Sequence, residues 1–253
     1  MEDAPLVRMA GITKTFGSVV ALENVDFHVD HQEIVGLVGD NGAGKSTLVK
    51  ILAGVHPADK GEIYMEGSKV SFSSPRDSRD NGIETIYQDL ALVEDLRIYR
   101  NIFLAREIVK SYFGIKLLDD KKMAQESVRA LEGLRIGIPG SIRQPVRTLS
   151  GGQRQCVAVA RSIYFDAKLF AMDEPTAALG VAESREVLEL IKDLKKRGKS
   201  CIVITHNLHH IFSVCDRITV LWKGKVVGDY TTKDTTMDEV EDAILGKGLM
   251  REF

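Results

Sequence analysis

The strongest constraint on this chain is an eight-residue segment, Gly39-Asp40-Asn41-Gly42-Ala43-Gly44-Lys45-Ser46, which fits the pattern G-x-x-x-x-G-K-[ST]. It stands between a short apolar run, Ile34-Val35-Gly36-Leu37-Val38, and a segment with Leu48, Ile51 and Leu52 at helical spacing that stops at Gly54. The order strand, glycine-rich turn, helix is the context in which the pattern carries chemistry. Glycines let backbone N–H groups close around phosphate oxygens, and the helix N-terminus adds its partial positive charge. Lys45 supplies a mobile charge for β- and γ-phosphates, while the Ser46 hydroxyl suits Mg²⁺. An ordinary glycine-rich turn between strand and helix needs neither the lysine nor the serine.

Two more apolar runs follow the same plan. Lys168-Leu169-Phe170-Ala171-Met172 ends in Asp173 and Glu174, and Cys201-Ile202-Val203-Ile204-Thr205 ends at His206. Between them Val187, Leu188, Ile191 and Leu194 form one helical stripe, closed by Lys195, Lys196, Arg197 and Gly198. Strands alternating with helices predict an α/β fold, a parallel sheet flanked by helices with its functional residues at the carboxyl ends of the strands. Asp173 is then placed to hold Mg²⁺ through water, and Glu174 to orient or deprotonate an attacking water. Ahead of this core, Val25, Phe27 and Val29 alternate with polar residues, so Val7 to Val29 reads as antiparallel strands with one wet face. From about 89 to 165, Met123, Val128, Leu131 and Leu134 repeat at helical intervals, broken by a Gly/Pro stretch at 137–140, which predicts a mainly helical insertion. After Trp222 the pattern predicts a hairpin turning at Lys223-Gly224-Lys225 and a short acidic helix from Met237 to Leu245. The organisation expected is one domain over 1–253, with a core of 1–88 and 166–253 and a helical subdomain of about 89–165.

Composition narrows the partners. The 36 acidic and 34 basic residues nearly cancel, for a formal net charge of -2, so no global field points to nucleic acid. The three cysteines, Cys156, Cys201 and Cys215, are odd in number and form no C-x-x-C pair, which argues against disulfides and a zinc ribbon and fits a reducing cytosol. The opening Met1-Glu2-Asp3 lacks a secretory pattern, and no apolar run approaches the ~18 to 20 residues that span a bilayer, so the chain itself is expected to be soluble.

The segment that narrows the family is Leu149-Ser150-Gly151-Gly152-Gln153, followed by Arg154-Gln155. Physically it is a serine N-cap, two glycines that leave backbone N–H groups bare, and a helix bearing Val157, Ala160 and Ile163: a second anion-binding helix N-terminus. Together with the first loop it resembles the signature of ABC-type ATPases. The resemblance implies a P-loop NTPase core with an N-terminal antiparallel β-subdomain and a helical signature-bearing subdomain. It implies that Phe16, in Lys14-Thr15-Phe16-Gly17, stacks on adenine, where pattern alone reads a strand core residue. It further implies that Gln88 senses Mg²⁺ and water at the contact with a membrane subunit, and that His206 hydrogen-bonds the γ-phosphate. His209 and His210 read as surface helix residues; H-x-x-H-H as a metal site lacks a further ligand.

By the same resemblance two ATPase domains pack head to tail, identical chains or close paralogues. ATP then lies between the segment Gly39 to Thr47 of one and Ser150 to Gln153 of the other. After Glu174-Pro175-Thr176 the family commonly has Ser-Ala-Leu-Asp, whereas this chain reads Ala177-Ala178-Leu179-Gly180. The missing serine and aspartate remove side-chain hydrogen bonds that help couple the two sites. The wording around Ala177 to Val181, Glu84 to Leu92 and Asn101 to Leu104 is similar to monosaccharide importers of the ribose, xylose and fructose class. That implies an ATPase, with cofactors ATP and Mg²⁺, on the cytoplasmic face of the cell membrane. Its partners would be transmembrane permease subunits and, indirectly, a solute-binding protein, with no nucleic acid. A soluble ABC ATPase of an assembly or repair system is the alternative; heptads and a second cradle, expected of repair and translation types, do not occur. A module that binds ATP without hydrolysing it is disfavoured by Lys45, Ser46, Gln88, Asp173, Glu174 and His206 all being present.

Overall fold

The computed structural model describes residues 4–87, 90–133, 140–177 and 179–247. They form two compact units: Met1–Thr85 with Ala167–Pro175 and Ile191–Phe253, and Ile86–Asp166 with Thr176–Leu190.

The first unit opens with β1 (Val7–Phe16) and β2 (Val19–Val29), antiparallel as the alternation predicts, with Val25, Phe27 and Val29 buried. β4 (Lys60–Met65) and β5 (Ser68–Val70) complete a four-stranded sheet in the order β2-β1-β4-β5. The second sheet has six strands in the order β12-β11-β3-β10-β9-β6. They are β3 (Ile34–Val38), β6 (Ile83–Ile86), β9 (Leu169–Asp173), β10 (Ser200–Ile204), β11 (Arg217–Trp222) and β12 (Lys225–Thr231). β11, β3, β10 and β9 run parallel, while β12 returns antiparallel through the hairpin at Lys223 and Gly224, both at positive φ. Every residue of β3 and β10 is buried, the consequence of a parallel sheet covered on both faces. The short helices are α1 (Lys45–Leu52), α2 (Pro75–Asp80), α7 (Leu208–Val214) and α8 (Met237–Ile244).

The second unit contains α3 (Ile98–Ile102), α4 (Asp120–Gly133) and α5 (Gly151–Tyr164), which pack on one another around Tyr99, Phe103, Met123 and Val157. It also holds an element that helical periodicity does not predict, a hairpin of β7 (Val109–Tyr112) and β8 (Ile115–Leu118). The long helix α6 (Val181–Lys196) carries the expected stripe, with Val187, Ile191 and Leu194 buried and Leu188 partly exposed. All three cysteines are free and buried, and burial pushes the Cys156 thiol up to about 12. No helix among the described residues is long and apolar enough to cross a membrane.

Candidate functional site

Register brings the functional residues of the first unit together. Leu37 of β3 pairs with Ile204 of β10, and Ile204 pairs with Asp173 of β9. Three parallel strands therefore end in one row, and the loops beginning at Gly39, Glu174 and Thr205 leave from the same edge of the sheet.

The loop after β3 needs its glycines for space. Gly39 and Gly44 have φ of 149° and 108°; a Cβ on Gly39 would lie 2.2 Å from the Leu221 carbonyl oxygen, and one on Gly44 would lie 2.7 Å from the Ala21 carbonyl oxygen. Asp40, Asn41 and Gly42 are exposed, Ala43 is buried, and Gly44 caps α1 without any side-chain hydrogen bond. The first turn of α1 has no acidic residue, so no side chain of that turn offsets the partial positive charge of its N–H groups. Lys45 Nζ donates to the carbonyl oxygens of Gly39 (2.7 Å) and Asp40 (2.9 Å). Burial lowers the Lys45 pKa, opposed by the negative fields of Glu174, Asp40 and Asp173. Ser46 is exposed in the first turn, with Thr47 beside it half-buried.

Asp173 and Glu174 differ in environment although adjacent. The Asp173 carboxyl is held above its ordinary value by burial and then by Glu174, against the opposing fields of Lys45 and Lys50. Ser46 and Asp173 supply hard oxygen donors of the kind Mg²⁺ prefers, and Mg²⁺ takes few protein ligands beside waters and phosphates, so this donor set fits the ion.

Glu174 is fastened on all sides. Its N–H donates to the Ile204 carbonyl at 2.8 Å. Its carboxylate accepts from the Thr205 hydroxyl at 3.0 Å and the His206 N–H at 3.1 Å, and lies 2.9 Å from His206 Nδ1. The His206 side chain is 84% exposed against 20% for Glu174, so the ring projects outward from a largely covered carboxylate. Donation from Nδ1 leaves Nε2 pointing away from Glu174. Thr205, buried beneath this pair, also accepts from the Asn207 N–H at 3.2 Å. Sequence reading did not single it out, since a threonine ending an apolar strand reads simply as a strand former.

Phe16 is 42% exposed at the end of β1, meeting the His56 ring edge-on at 5.3 Å with Lys14 Nζ 5.4 Å from its centroid. That exposure excludes a core role and suits a stacking platform. Gln88 lies outside the described residues.

Ser150, Gly151, Gly152 and Gln153 belong to the second unit. Ser150 caps α5: its Oγ accepts from the Gln153 N–H at 3.4 Å, and Gln153 Oε1 accepts from the Ser150 N–H at 3.0 Å. The Gln153 N–H is thus taken by the cap, leaving those of Gly151 and Gly152 at the helix end. A Cβ on Gly151 would lie 2.4 Å from Leu179 Cδ2, so Leu179 seats directly on the first signature glycine. Gly180 N–H donates to Glu183 at 3.3 Å, a contact made where the family's aspartate is missing. His209 is exposed on α7, as expected, whereas His210 is only partly so and is lowered by burial.

A strand-end carboxylate pair, a lysine-bearing glycine loop on a bare helix N-terminus and a capped signature helix define a nucleotide-binding ATPase cassette. The sequence model of the ABC transporter family matches residues 22–177, and the chain belongs to that family. It is 51% identical over 239 residues to a xylose/arabinose import ATP-binding protein of Sulfolobus acidocaldarius, covering 94% of this chain and 93% of that protein. It is 45% identical over 244 residues to a fructose import ATP-binding protein of Rhizobium meliloti, again over 94% and 93%. In fold it matches a nucleotide-free ATP-binding cassette from an ABC transporter, with a TM-score of 0.81, 23% identity and 96% of each chain covered.

Proposed function

We propose that this chain is the ATP-binding and hydrolysing subunit of a monosaccharide importer, driving uptake by nucleotide-dependent closing and opening of two ATPase domains. Support for the import half is its likeness to the xylose/arabinose and fructose import proteins over nearly their whole lengths. The single observation behind the hydrolytic half is the Glu174 carboxylate, held by Thr205 and His206 at the sheet edge from which the phosphate loop also leaves. In this reading 1–253 works as one ATPase domain with its helical subdomain at about 89–165.

The roles follow from chemistry. Gly39 to Thr47 wraps the phosphates with backbone N–H groups and Lys45, and Phe16 takes the adenine face. Glu174 receives the proton of the water that attacks the γ-phosphorus, and ADP leaves as the β,γ-bridging P–O bond breaks. Donating from both ring nitrogens, as an imidazolium does, His206 bonds the γ-phosphate through its outward Nε2 and keeps Glu174 oriented through Nδ1. Ser46 and Asp173, with Gln88, would hold Mg²⁺, which offsets the charge gathering on the phosphate oxygens. Ser150 to Gln153 of a second copy, or of a paralogue, closes over the γ-phosphate from the far side, so loss of that phosphate releases the pair. Permease subunits hold the chain at the cytoplasmic face of the membrane, with a solute-binding protein acting beyond them.

Purification of the tagged chain from membranes tests this. Co-purifying transmembrane permease subunits and ATP hydrolysis raised by a loaded sugar-binding protein are the expected result. Recovery only from the soluble fraction, in complex with a soluble assembly or repair system, would overturn the import reading.

A further inference from the structure

The β7–β8 hairpin is an isolated two-stranded ribbon, a form that is marginal in water without something to pack against. All eight of its strand residues are exposed. The register pairs Val109 with Leu118, Lys110 with Leu117, Ser111 with Lys116 and Tyr112 with Ile115. Because successive pairs face opposite sides, Tyr112, Ile115 and Leu117 share one face while Val109 and Leu118 lie on the other. Apolar groups therefore project from both faces, and each face also carries one lysine. A flat protein surface would cover one face and leave the other wet, whereas a lipid interface surrounds both.

The tip is built for the same environment. Phe113 and Gly114 have φ of 48° and 80°, the signature of a tight primed turn whose first position favours asparagine. This chain places there a phenylalanine that is 91% exposed, edge-on to Tyr112 at 4.8 Å. A strained bulky residue at an exposed tip points to use rather than to folding. Between Ile108 and Leu118 there are two lysines and no acid, while at the base Arg106, Lys121 and Lys122 balance Glu107, Asp119 and Asp120. The hairpin itself is therefore purely cationic, with its positive charge beside the apolar tip.

We infer that this hairpin is a membrane-surface anchor that inserts Tyr112, Phe113 and Ile115 shallowly among the headgroups of anionic lipid, with Lys110 and Lys116 pairing to lipid phosphates. Long lysine stems let their ammonium groups remain at the headgroup level while the tip goes deeper. The anchor adds a lipid contact of the subunit's own to the permease contacts proposed above and does not depend on them, since it can be read on the chain alone.

The test is sedimentation of the full chain with phosphatidylcholine vesicles and with mixed phosphatidylcholine and phosphatidylglycerol vesicles. Binding should be confined to the anionic vesicles and should fall as salt rises. Phe113→Asn suits the turn better and so keeps the hairpin, yet should weaken binding about tenfold. Lys110→Ala with Lys116→Ala should weaken it about 30-fold. The ATPase rate of both variants without vesicles should equal wild type. Equal binding to neutral vesicles, no binding to either kind, or no effect of the variants would overturn the anchor. So would variants that bind vesicles normally but lose a co-purifying membrane protein, which would make the hairpin's partner a protein.

Discussion

Glu174 adopts φ of +50°, a region that costs a non-glycine residue on the order of 1–2 kcal/mol. The carboxylate's bonds to Thr205 and His206 and the N–H bond to Ile204 hold it there. Asp173 next to it carries a different burden, because burial disfavours its charged form. Between the ordinary value of 3.8 and its raised folded value, the native state binds more protons than the unfolded chain, so stability falls as pH rises through that window. Above the raised folded value the whole penalty is present. Asp173→Asn should therefore raise the melting temperature of the nucleotide-free protein at pH 7, with the gain shrinking as pH falls toward 3.8. Unfolding followed through the single tryptophan, Trp222, would show it. The same variant should lose ATPase activity, so a stabiliser that inactivates marks a functional carboxylate. Asp173 and Glu174 stood out in the sequence as acids ending an apolar strand, Lys45 stood out through the glycine-rich motif, and His206 through the family resemblance. Thr205 did not, since only the folded register brings its hydroxyl to Glu174.

Among the elements, α5 and the segment before α6 meet at a contact that pattern cannot reveal. Leu179 fills the space a side chain on Gly151 would need. Gly151→Ala should cost about 1–3 kcal/mol by overpacking. Combining it with Leu179→Ala should cost less than the sum of the two single changes, a coupling that urea denaturation of the four proteins would measure. Additive losses would mean that the leucine simply swings aside. The β7–β8 hairpin was hidden for a different reason. Its turn is Phe-Gly rather than Asn-Gly, and Ile115-Lys116-Leu117-Leu118 does not alternate cleanly, so neither hairpin signal is present. Helical spacing downstream led correctly to α4 through Met123 and Leu131, which are buried, though Val128 in the same series is 38% exposed and Leu134 lies outside the described residues. The parallel strands were easy by contrast, since burial on both faces writes an unbroken apolar run.

At the scale of the whole molecule, the chain carries one phosphate loop, in the first unit, and one signature, in the second. If each nucleotide is held between the loop of one copy and the signature of another, association must depend on ATP and on the state of Glu174. Glu174→Gln keeps the size and most hydrogen-bonding capacity of the side chain but removes the proton acceptor, so turnover should fall about 10²- to 10⁴-fold while ATP still binds. The γ-phosphate then stays in place, and size-exclusion chromatography with ATP should show a long-lived dimer that ADP does not support. Lys45→Ala supplies the opposite arm: loss of a charge-assisted contact should weaken ATP binding about 10- to 100-fold, and the dimer should vanish at ATP concentrations that saturate the Gln variant. A Gln variant that binds ATP yet remains monomeric at high protein concentration would mean that the two-copy sandwich is not how this chain works. The Gly180 departure sharpens the comparison, because with no aspartate there to link the sites, the dimer should hydrolyse its two nucleotides with weak cooperativity, seen as a Hill coefficient near one.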